Sequence, residues 1–375
     1  MAELDHSPFG GQALRDWGSV YAGEVLRQIK GRPTRARAPL RLGIAGGGTD
    51  LSPYCDDFGG AVLNVTIDRH AFAFLSARDD GMVNFCALDI EQNETFTPDQ
   101  ALTQKAKLVL HQGVYRRIVR DFLNGQPIPL TIQSTVDAPA GSGLGSSSAL
   151  VVALVEAFRS YLDLPLGQYE VAHLAWDIER NDLGLAGGRQ DQYAAAFGGA
   201  NYIEFLAGDR VIVNPLRLAT GAQEEIEASL AICFTGQSRA SHDIIVQQTA
   251  AMNNGGASSV AIEAMHQLKH DAMEMKGAFL RGDVHAMASV LARSWEAKKR
   301  TASGISNPLI EHLYDVAIAN GALAGKVSGA GGGGFMMFLV PPEHRRRLVV
   351  ALDAQGGHAD VVALTHTGAT SWIAT

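Results

Sequence analysis

The stretch DAPAGSGLGSSSAL at 137–150 carries the residues with the clearest chemistry. It follows an alternating, strand-like run, PLTIQSTV, and opens the apolar-periodic run ALVVALVEAFRSYL. At such a strand-to-helix turn Gly141, Gly143 and Gly145 give the backbone freedom to close bare N–H groups round an anion. The start of the following helix adds its positive dipole end at the same place. Ser146, Ser147 and Ser148 supply hydroxyls that can meet phosphate oxygens or a magnesium ion. Together these residues make a nucleotide-phosphate cradle and point to phosphoryl transfer.

Two more glycine-rich turns, AGGGTD at 45–50 and SGAGGGG at 328–334, stand far apart in sequence. Either alone is an ordinary strand connection; with the serine-bearing cradle they form a set. The familiar nucleotide motifs do not fit. There is no GxxxxGK[ST], since Lys326 follows a glycine but precedes Val327, and GxGxxG fails because Ser148 falls where a third glycine would follow Gly143 and Gly145. Cys55, Cys86 and Cys233 lack zinc-type spacing and read as small core residues.

Several charged residues can serve chemistry or structure. Asp191, after the turn GGRQ, can take a proton or cap a helix over QYAAAF. Glu179 sits at the edge of a helical face made by Val171, Leu174, Ala175 and Ile178, where it can reach a cleft or pair with Arg180. Strand alternation puts Leu40, Leu42 and Ile44 on one face and Arg41 on the other, towards a cleft or solvent. Asp50 can accept sugar hydroxyl hydrogen bonds or close an Asx turn.

The elements that must position these residues alternate in type. Strands are predicted over AVLNVTI and AFAFLSA, then at 200–206, 210–214, 229–235, 323–328, 334–340 and 359–366. Helices are predicted over 100–123, 166–181 and 343–355, and through most of 242–320 with breaks at Gly282-Asp283 and Ser306-Asn307-Pro308. In the helix after the cradle, Leu150, Leu154, Phe158 and Tyr161 form one packing face. This predicts an α+β chain with an arm (1–34), a first domain (35–220) and a second (221–375). The arm reads as a helix near 12–30, with Leu14, Trp17, Tyr21, Val25 and Ile29 as its stripe, serving packing or a homo-oligomer.

The net charge of −8 argues against a general nucleic-acid binder. No apolar run reaches membrane-spanning length and the N-terminus lacks a secretory pattern, so a cytoplasmic location is expected.

The three turns resemble, in order and spacing, the motifs of the GHMP small-molecule kinases, the superfamily of galactokinase, homoserine kinase and mevalonate kinase. APLRLGIAGGGTD, PAGSGLGSSSA and KVSGAGGGGF carry the resemblance, which runs from about residue 37 to the end. The AGGGTD form, its continuation LSPYCDDFGGAVLNVTIDRHAFA and the later TGQSRASHDI are similar to the D-glycero-D-manno-heptose 7-phosphate kinases; galactokinases carry a GEHTDY-like form instead.

The resemblance implies a two-lobed GHMP kinase fold, with a mixed sheet and helices in the N-terminal lobe, a ferredoxin-like C-terminal lobe and the active site between them. It implies ATP and Mg2+, and makes Asp191 the catalytic base with Arg41 as the cation beside it, able to stabilise charge on the transferring phosphoryl group. Pro139, Ala140, Gly141, Ser142, Gly143, Leu144, Gly145, Ser146, Ser147 and Ser148 would hold the nucleotide. Glu179 would bind magnesium with a cradle serine, Ser147 or Ser146 rather than Ser148. Gly47, Gly48, Thr49, Asp50, Arg189, Arg239 and Gly331 would meet a sugar phosphate substrate, with SGAGGGG shaping the floor of the site. For a second phosphate on that substrate Arg239, between Ser238 and Ser241, is the first choice; Arg189, Arg69, Lys298, Lys299 and Arg300 follow, the last three reading mainly as a solvated helix face. The implied reaction is phosphorylation of the anomeric hydroxyl of D-glycero-D-manno-heptose 7-phosphate to the 1,7-bisphosphate, in GDP-heptose synthesis for surface polysaccharide. The alternatives are a fucose- or galactose-like sugar, or a binder on the same fold that has lost catalysis.

Overall fold

The computed structural model describes residues 32–237, 241–253 and 255–374; the helix expected near 12–30 and Arg239 lie outside them. The chain runs β1 (Thr34–Ala45), α1 (Tyr54–Phe58), β2 (Gly60–Ala77), β3 (Val83–Ala87), β4 (Gln92–Phe96), α2 (Pro98–Thr103), α3 (Val109–Phe122), β5 (Leu130–Val136), α4 (Ser146–Tyr161) and α5 (Gln168–Asp177). After a π-helical turn (Ile178–Asp182) come α6 (Gln190–Phe197), β6 (Ala200–Phe205), β7 (Val211–Pro215), α7 (Thr220–Ala228) and β8 (Leu230–Phe234). The last part is α8 (Ser241–Asn253), α9 (Gly255–Arg281), α10 (Val284–Lys299), α11 (Pro308–Ala319), β9 (Ala324–Val327), β10 (Phe335–Leu339), α12 (Pro342–Asp353), β11 (His358–Asp360) and β12 (Thr370–Ile373).

Two sheets organise these elements. The first has eight strands in the order β12-β1-β2-β5-β3-β4, with β6 on the other half of β2 and β7 beyond it. Among the described residues only β3 and β5 pair in parallel. The long β2 is shared: Gly60–Val65 pairs with β6 and Ala71–Ala77 with β5. The second sheet has the order β11-β8-β10-β9, all antiparallel. With α8–α11 between β8 and β9, and α12 between β10 and β11, it is a ferredoxin-like βαββαβ lobe with extra helices. One buried cluster joins the first sheet to α4 and to Met275, Phe279, Met287 and Leu291 of α9 and α10, so the lobes share a core. A second fills the space behind the ferredoxin-like sheet around Trp295, Leu313, Phe338 and Leu348.

The structure departs from the sequence expectations in places that matter to the site. The helix α4 buries Ser148 through Phe158 all round, not on the single face expected, because it lies between β1 and β2 on one side and α5 and α6 on the other. The helix expected over 166–181 stops at Asp177 and continues as the π turn that carries Glu179. The helix expected over 100–123 breaks between α2 and α3. The strand expected over 359–366 shortens to β11, with an isolated bridge from Leu364 to Ile67. The β3–β4 hairpin and β12, which pairs with β1, were not anticipated.

The second and third glycine turns are packed backbone against backbone. Gly143 has φ +80°, and a Cβ there would stand 2.5 Å from Ser328 O; a Cβ on Gly329 would stand 2.8 Å from Gly143 Cα. Phe335 N–H donates to Ser142 O at 2.8 Å across the same seam. Gly143→Ala must therefore separate the turns and strain a left-handed residue. A loss of more than about 2 kcal/mol of stability is expected, read as a lower urea midpoint at unchanged slope.

Candidate active site

A cleft of 320 Å³ opens between the lobes, lined from the first turn, the cradle, the π turn, α6, α8, α10 and Gly329-Ala330. Its polar centre is the contact between β1 and α6. Arg41, 3% exposed, donates from Nε and Nη2 to Asp191 Oδ1 at 2.7 and 2.6 Å. Irregular pairing of β1 with β2 flanks Arg41, between Pro39 and Arg41 and again between Gly43 and Ala45, and such bulges re-aim a side chain. Arg41 Nη1 donates to Gly143 O at 2.7 Å and lies 3.4 Å from Ser328 Oγ. Asp191, its side chain 24% exposed, turns Oδ2 towards the cradle: a Cβ built on Gly145 would lie 3.3 Å from it.

The cradle is held by its own backbone. Gly141, Gly143 and Gly145 all have φ between 70° and 80°. Arg41 N–H donates to Leu144 O at 3.0 Å, tying β1 to the loop. Gly145 is the N-cap of α4 and no side chain caps the helix, so first-turn N–H groups stay available to an anion. Gly141, Gly143, Gly145, Ser146, Ser147 and Ser148 line the cleft. Leu144 is instead in the core, Ser142 is fully buried with an unpartnered Oγ, and Pro139 faces a different depression. Ala140 faces a 220 Å³ apolar slot that shares Ser146 and Ser147 with the cleft and is walled by Leu108, Val109, Val136 and Leu150.

Glu179, 1% exposed, lies beside the cradle. It accepts hydrogen bonds from Gln192 and Ser148, and Gln192 Nε2 also donates to Ser148 Oγ at 3.0 Å. Burial pushes the Glu179 carboxyl above its ordinary range, opposed chiefly by Arg180. Arg180 makes no salt bridge to it and instead braces the 185–188 loop through Gly188 O, Leu185 O and Ala186 O. Ser148, the serine ranked last from sequence, is thus the one bonded to Glu179, while Ser147 is exposed at the cleft wall.

Asp50, 2% exposed, brackets the loop that delivers Asp191. Its Oδ2 accepts from the N–H groups of Arg189 and Gln190 at 3.0 and 3.1 Å; Oδ1 accepts from Gly48 N–H at 3.2 Å and Gln190 Nε2 at 3.1 Å. Gly188 admits the approach, since a Cβ there would stand 1.8 Å from Oδ2. Burial, then the nearby Asp191 charge, push the Asp50 carboxyl upward.

Other expected substrate residues are placed differently. Gly48 lines the cleft, and a Cβ on Gly47 would be 3.8 Å from Lys298 Nζ. Thr49 turns inward, its Oγ1 2.8 and 2.9 Å from the Gly46 and Ala61 carbonyl oxygens and accepting from Ala61 N–H. Arg189 stacks on Trp176 at 5.1 Å and pairs with Asp209 at 2.7 Å, away from the cleft, because Asp50 fixes its backbone the other way. Gly331 packs on Ile305, 2.9 Å from Ile305 O to a Cβ there. Arg69 pairs with Asp360 on another surface. Lys298, read from sequence as a solvated residue, is 4% exposed, lines the cleft and donates to Gly329 O at 2.5 Å. The signal was its spacing: Met287, Leu291, Trp295 and Lys298 recur on the buried stripe of α10. His242, Ile245 and Gln248 of α8 also line the cleft and were not foreseen.

A glycine-rich cradle at a helix start, a cation-paired carboxylate and an adjoining apolar slot suit phosphoryl transfer. The sequence matches the GHMP kinases N terminal domain over 109–199 and the GHMP kinases C terminal domain over 275–358. It is 43% identical to the D-glycero-alpha-D-manno-heptose 7-phosphate kinase of Campylobacter jejuni, over 90% of this chain and 98% of that protein. A crystal structure titled a D-glycero-D-manno-heptose 1-phosphate kinase from Bacteroides thetaiotaomicron superposes with a TM-score of 0.77 at 42% identity, covering 90% of this chain and 98% of that one. A putative sugar kinase from C. jejuni gives 0.75 at 42% identity, covering 91% and 98%. The chain belongs to the GHMP kinases and is a sugar kinase, a phosphotransferase with an alcohol acceptor. Among the described residues no helix is long and apolar enough to cross a membrane.

The Asp50 bracket yields a direct test. Asn has one carbonyl oxygen, so in Asp50→Asn either the Gly48 and Gln190 side-chain donors or the Arg189 and Gln190 backbone donors face an NH2 group. A loss of about 1–3 kcal/mol in urea unfolding is expected, together with a fall in turnover as the loop before Asp191 loosens.

Proposed function

We propose that this kinase transfers the γ-phosphoryl group of ATP to the anomeric hydroxyl of D-glycero-D-manno-heptose 7-phosphate, giving the 1,7-bisphosphate for nucleotide-activated (GDP-) heptose synthesis. The carrying observation is Asp191: Oδ1 is fixed by Arg41, while Oδ2 lies at the end of the cradle with a side chain open to the cleft. In this reading Oδ2 accepts the proton of the sugar hydroxyl as its oxygen attacks the γ-phosphorus in line, and ADP leaves along the cradle. The first-turn N–H groups of α4 bind the departing phosphates, and the apolar slot beside Leu108 and Leu150 takes the base. The heptose phosphate is supported by 43% identity running across 98% of a relative of that name.

The donor set suits magnesium. Glu179 is a hard oxygen ligand that burial makes receptive to a cation; Ser148 is bonded to it and Ser147 lines the same cleft. Among the described residues no three His, Cys, Asp or Glu side chains gather to hold a metal alone, and magnesium bound with nucleotide phosphates needs only one or two protein carboxylates. When bound, the ion neutralises charge across the β- and γ-phosphates.

A panel of heptose 7-phosphate, free heptose, fucose and galactose, followed by ADP release, tests the substrate. Heptose 7-phosphate should lead in kcat/KM, with NMR showing the new phosphoester on the anomeric carbon; a leading unphosphorylated sugar would reject it. Asp191→Ala should lower kcat by about 10²–10⁴-fold while nucleotide affinity is largely kept. Near-normal turnover would rule out Asp191 as the base.

A further inference from the structure

Arg41 of β1 is the cation that the resemblance to the GHMP kinases implies for the transferring phosphoryl group, but its hydrogen bonds are already committed. A guanidinium has five N–H groups. Nε and one N–H of Nη2 hold Asp191, and Nη1 serves Gly143 O at 2.7 Å and faces Ser328 Oγ at 3.4 Å. A single N–H is left for a ligand. Lys298 is the opposite case. Its ammonium is buried yet lines the cleft, and of its three N–H groups one donates to Gly329 O. Its Nζ is 3.8 Å from the Cβ position of Gly47, so it stands between the first and third glycine turns. Arg41 of β1, Asp50 of the first turn and Asp191 of α6 all act on it electrostatically, and it acts in turn on buried Lys326 of β9. On its own helix Lys299 pairs outward with Glu296. Lys298 therefore lines the same cleft as Asp191 and the cradle, within electrostatic reach of the Asp191 carboxylate.

We propose that Lys298 is a further catalytic residue, donating hydrogen bonds from its ammonium group to the oxygens of the transferring phosphoryl group, while Arg41 acts mainly as the bracket for Asp191 and the cradle. The proposal rests on the kinase reading of this cleft but not on the identity of the sugar, because the phosphoryl group is common to every acceptor. The environment gives it a signature. Burial first, then Arg41, push the Lys298 ammonium down to about 8. Above that pH the free enzyme loses the proton, so kcat/KM must fall as pH rises. An arginine keeps its charge there.

The experiment compares wild type, Lys298→Met and Lys298→Arg on whichever panel sugar the wild type phosphorylates, so a wrong sugar overturns the substrate reading alone. For Lys298→Met we expect kcat down about 10²–10³-fold, with the dissociation constant of a fluorescent ATP analogue changed less than about threefold. Lys298→Arg should recover about tenfold or more of the lost rate, and its kcat/KM should lack the alkaline fall of the wild type. A Lys298→Met enzyme within about fivefold of wild-type kcat overturns the proposal, as does a Lys298→Arg enzyme with the wild-type alkaline limb. Should Lys298→Met fail to fold, the pH profile of Lys298→Arg decides by itself.

Discussion

The Arg41–Asp191 ion pair is the constraint on which the rest of the site depends. One buried guanidinium joins β1, α6, the cradle and the third glycine turn, because its bonds end on Asp191, Gly143 O and Ser328. A buried charge is tolerated only when paired and hydrogen-bonded, and this one is both. The pairing also forces the surrounding backbone close. Gly143, Gly329 and Gly145 occupy positions where a Cβ would strike a neighbouring turn or the Asp191 carboxylate. The second and third glycine turns, distant in sequence, thus pack backbone tightly around one electrostatic contact.

Much of this was legible in the sequence, for identifiable reasons. Glycine clusters mark places where backbone must approach backbone or ligand, and all three turns converge on the cleft or its seam. Arg41 was readable because alternation sets it opposite Leu40 and Leu42. The alternation of strands and helices in the last stretch was readable, while its ferredoxin-like form was what the resemblance to the GHMP kinases implied. What could not be read was the direction of a side chain whose backbone is fixed from elsewhere. Arg189 is two residues from Asp191, yet Asp50, far away in sequence, turns its side chain towards Trp176 and Asp209. Thr49 sits inside the first turn and spends its hydroxyl on closing it. Glu179 and Ser148 meet because a π turn replaces the last turn of an ordinary helix, and nothing local in AWDIERND distinguishes the two.

Lys298 shows a different kind of error. The run EAKKR has the composition of a solvated face, and composition outweighed position. Lys299 and Arg300 fit that reading, the first pairing with Glu296 and the second exposed. Helical phase separates them from Lys298, which follows Trp295 by three residues on the buried stripe. A lysine on an apolar stripe is a conflict between local chemistry and packing, and such conflicts are where function is found.

The same logic explains how a protein of net charge −8 gathers cations at and behind its cleft. Arg41, Lys298 and Lys326 converge from β1, α10 and β9, while Asp50 and Asp191 supply the nearby negative charge. Like charges held together in a low dielectric raise one another's cost. The fold meets that cost in two ways. It gives Arg41, whose charge cannot be shed, a carboxylate and two further acceptors. It leaves the lysines, which can shed a proton, less fully paired: burial and the neighbouring cations push Lys326 well below the ordinary range and bring Lys298 down to about 8. The permanent charge therefore organises the site, and Lys298, the adjustable charge that lines the cleft, stands where a multiply charged phosphate would offset its repulsion from Arg41.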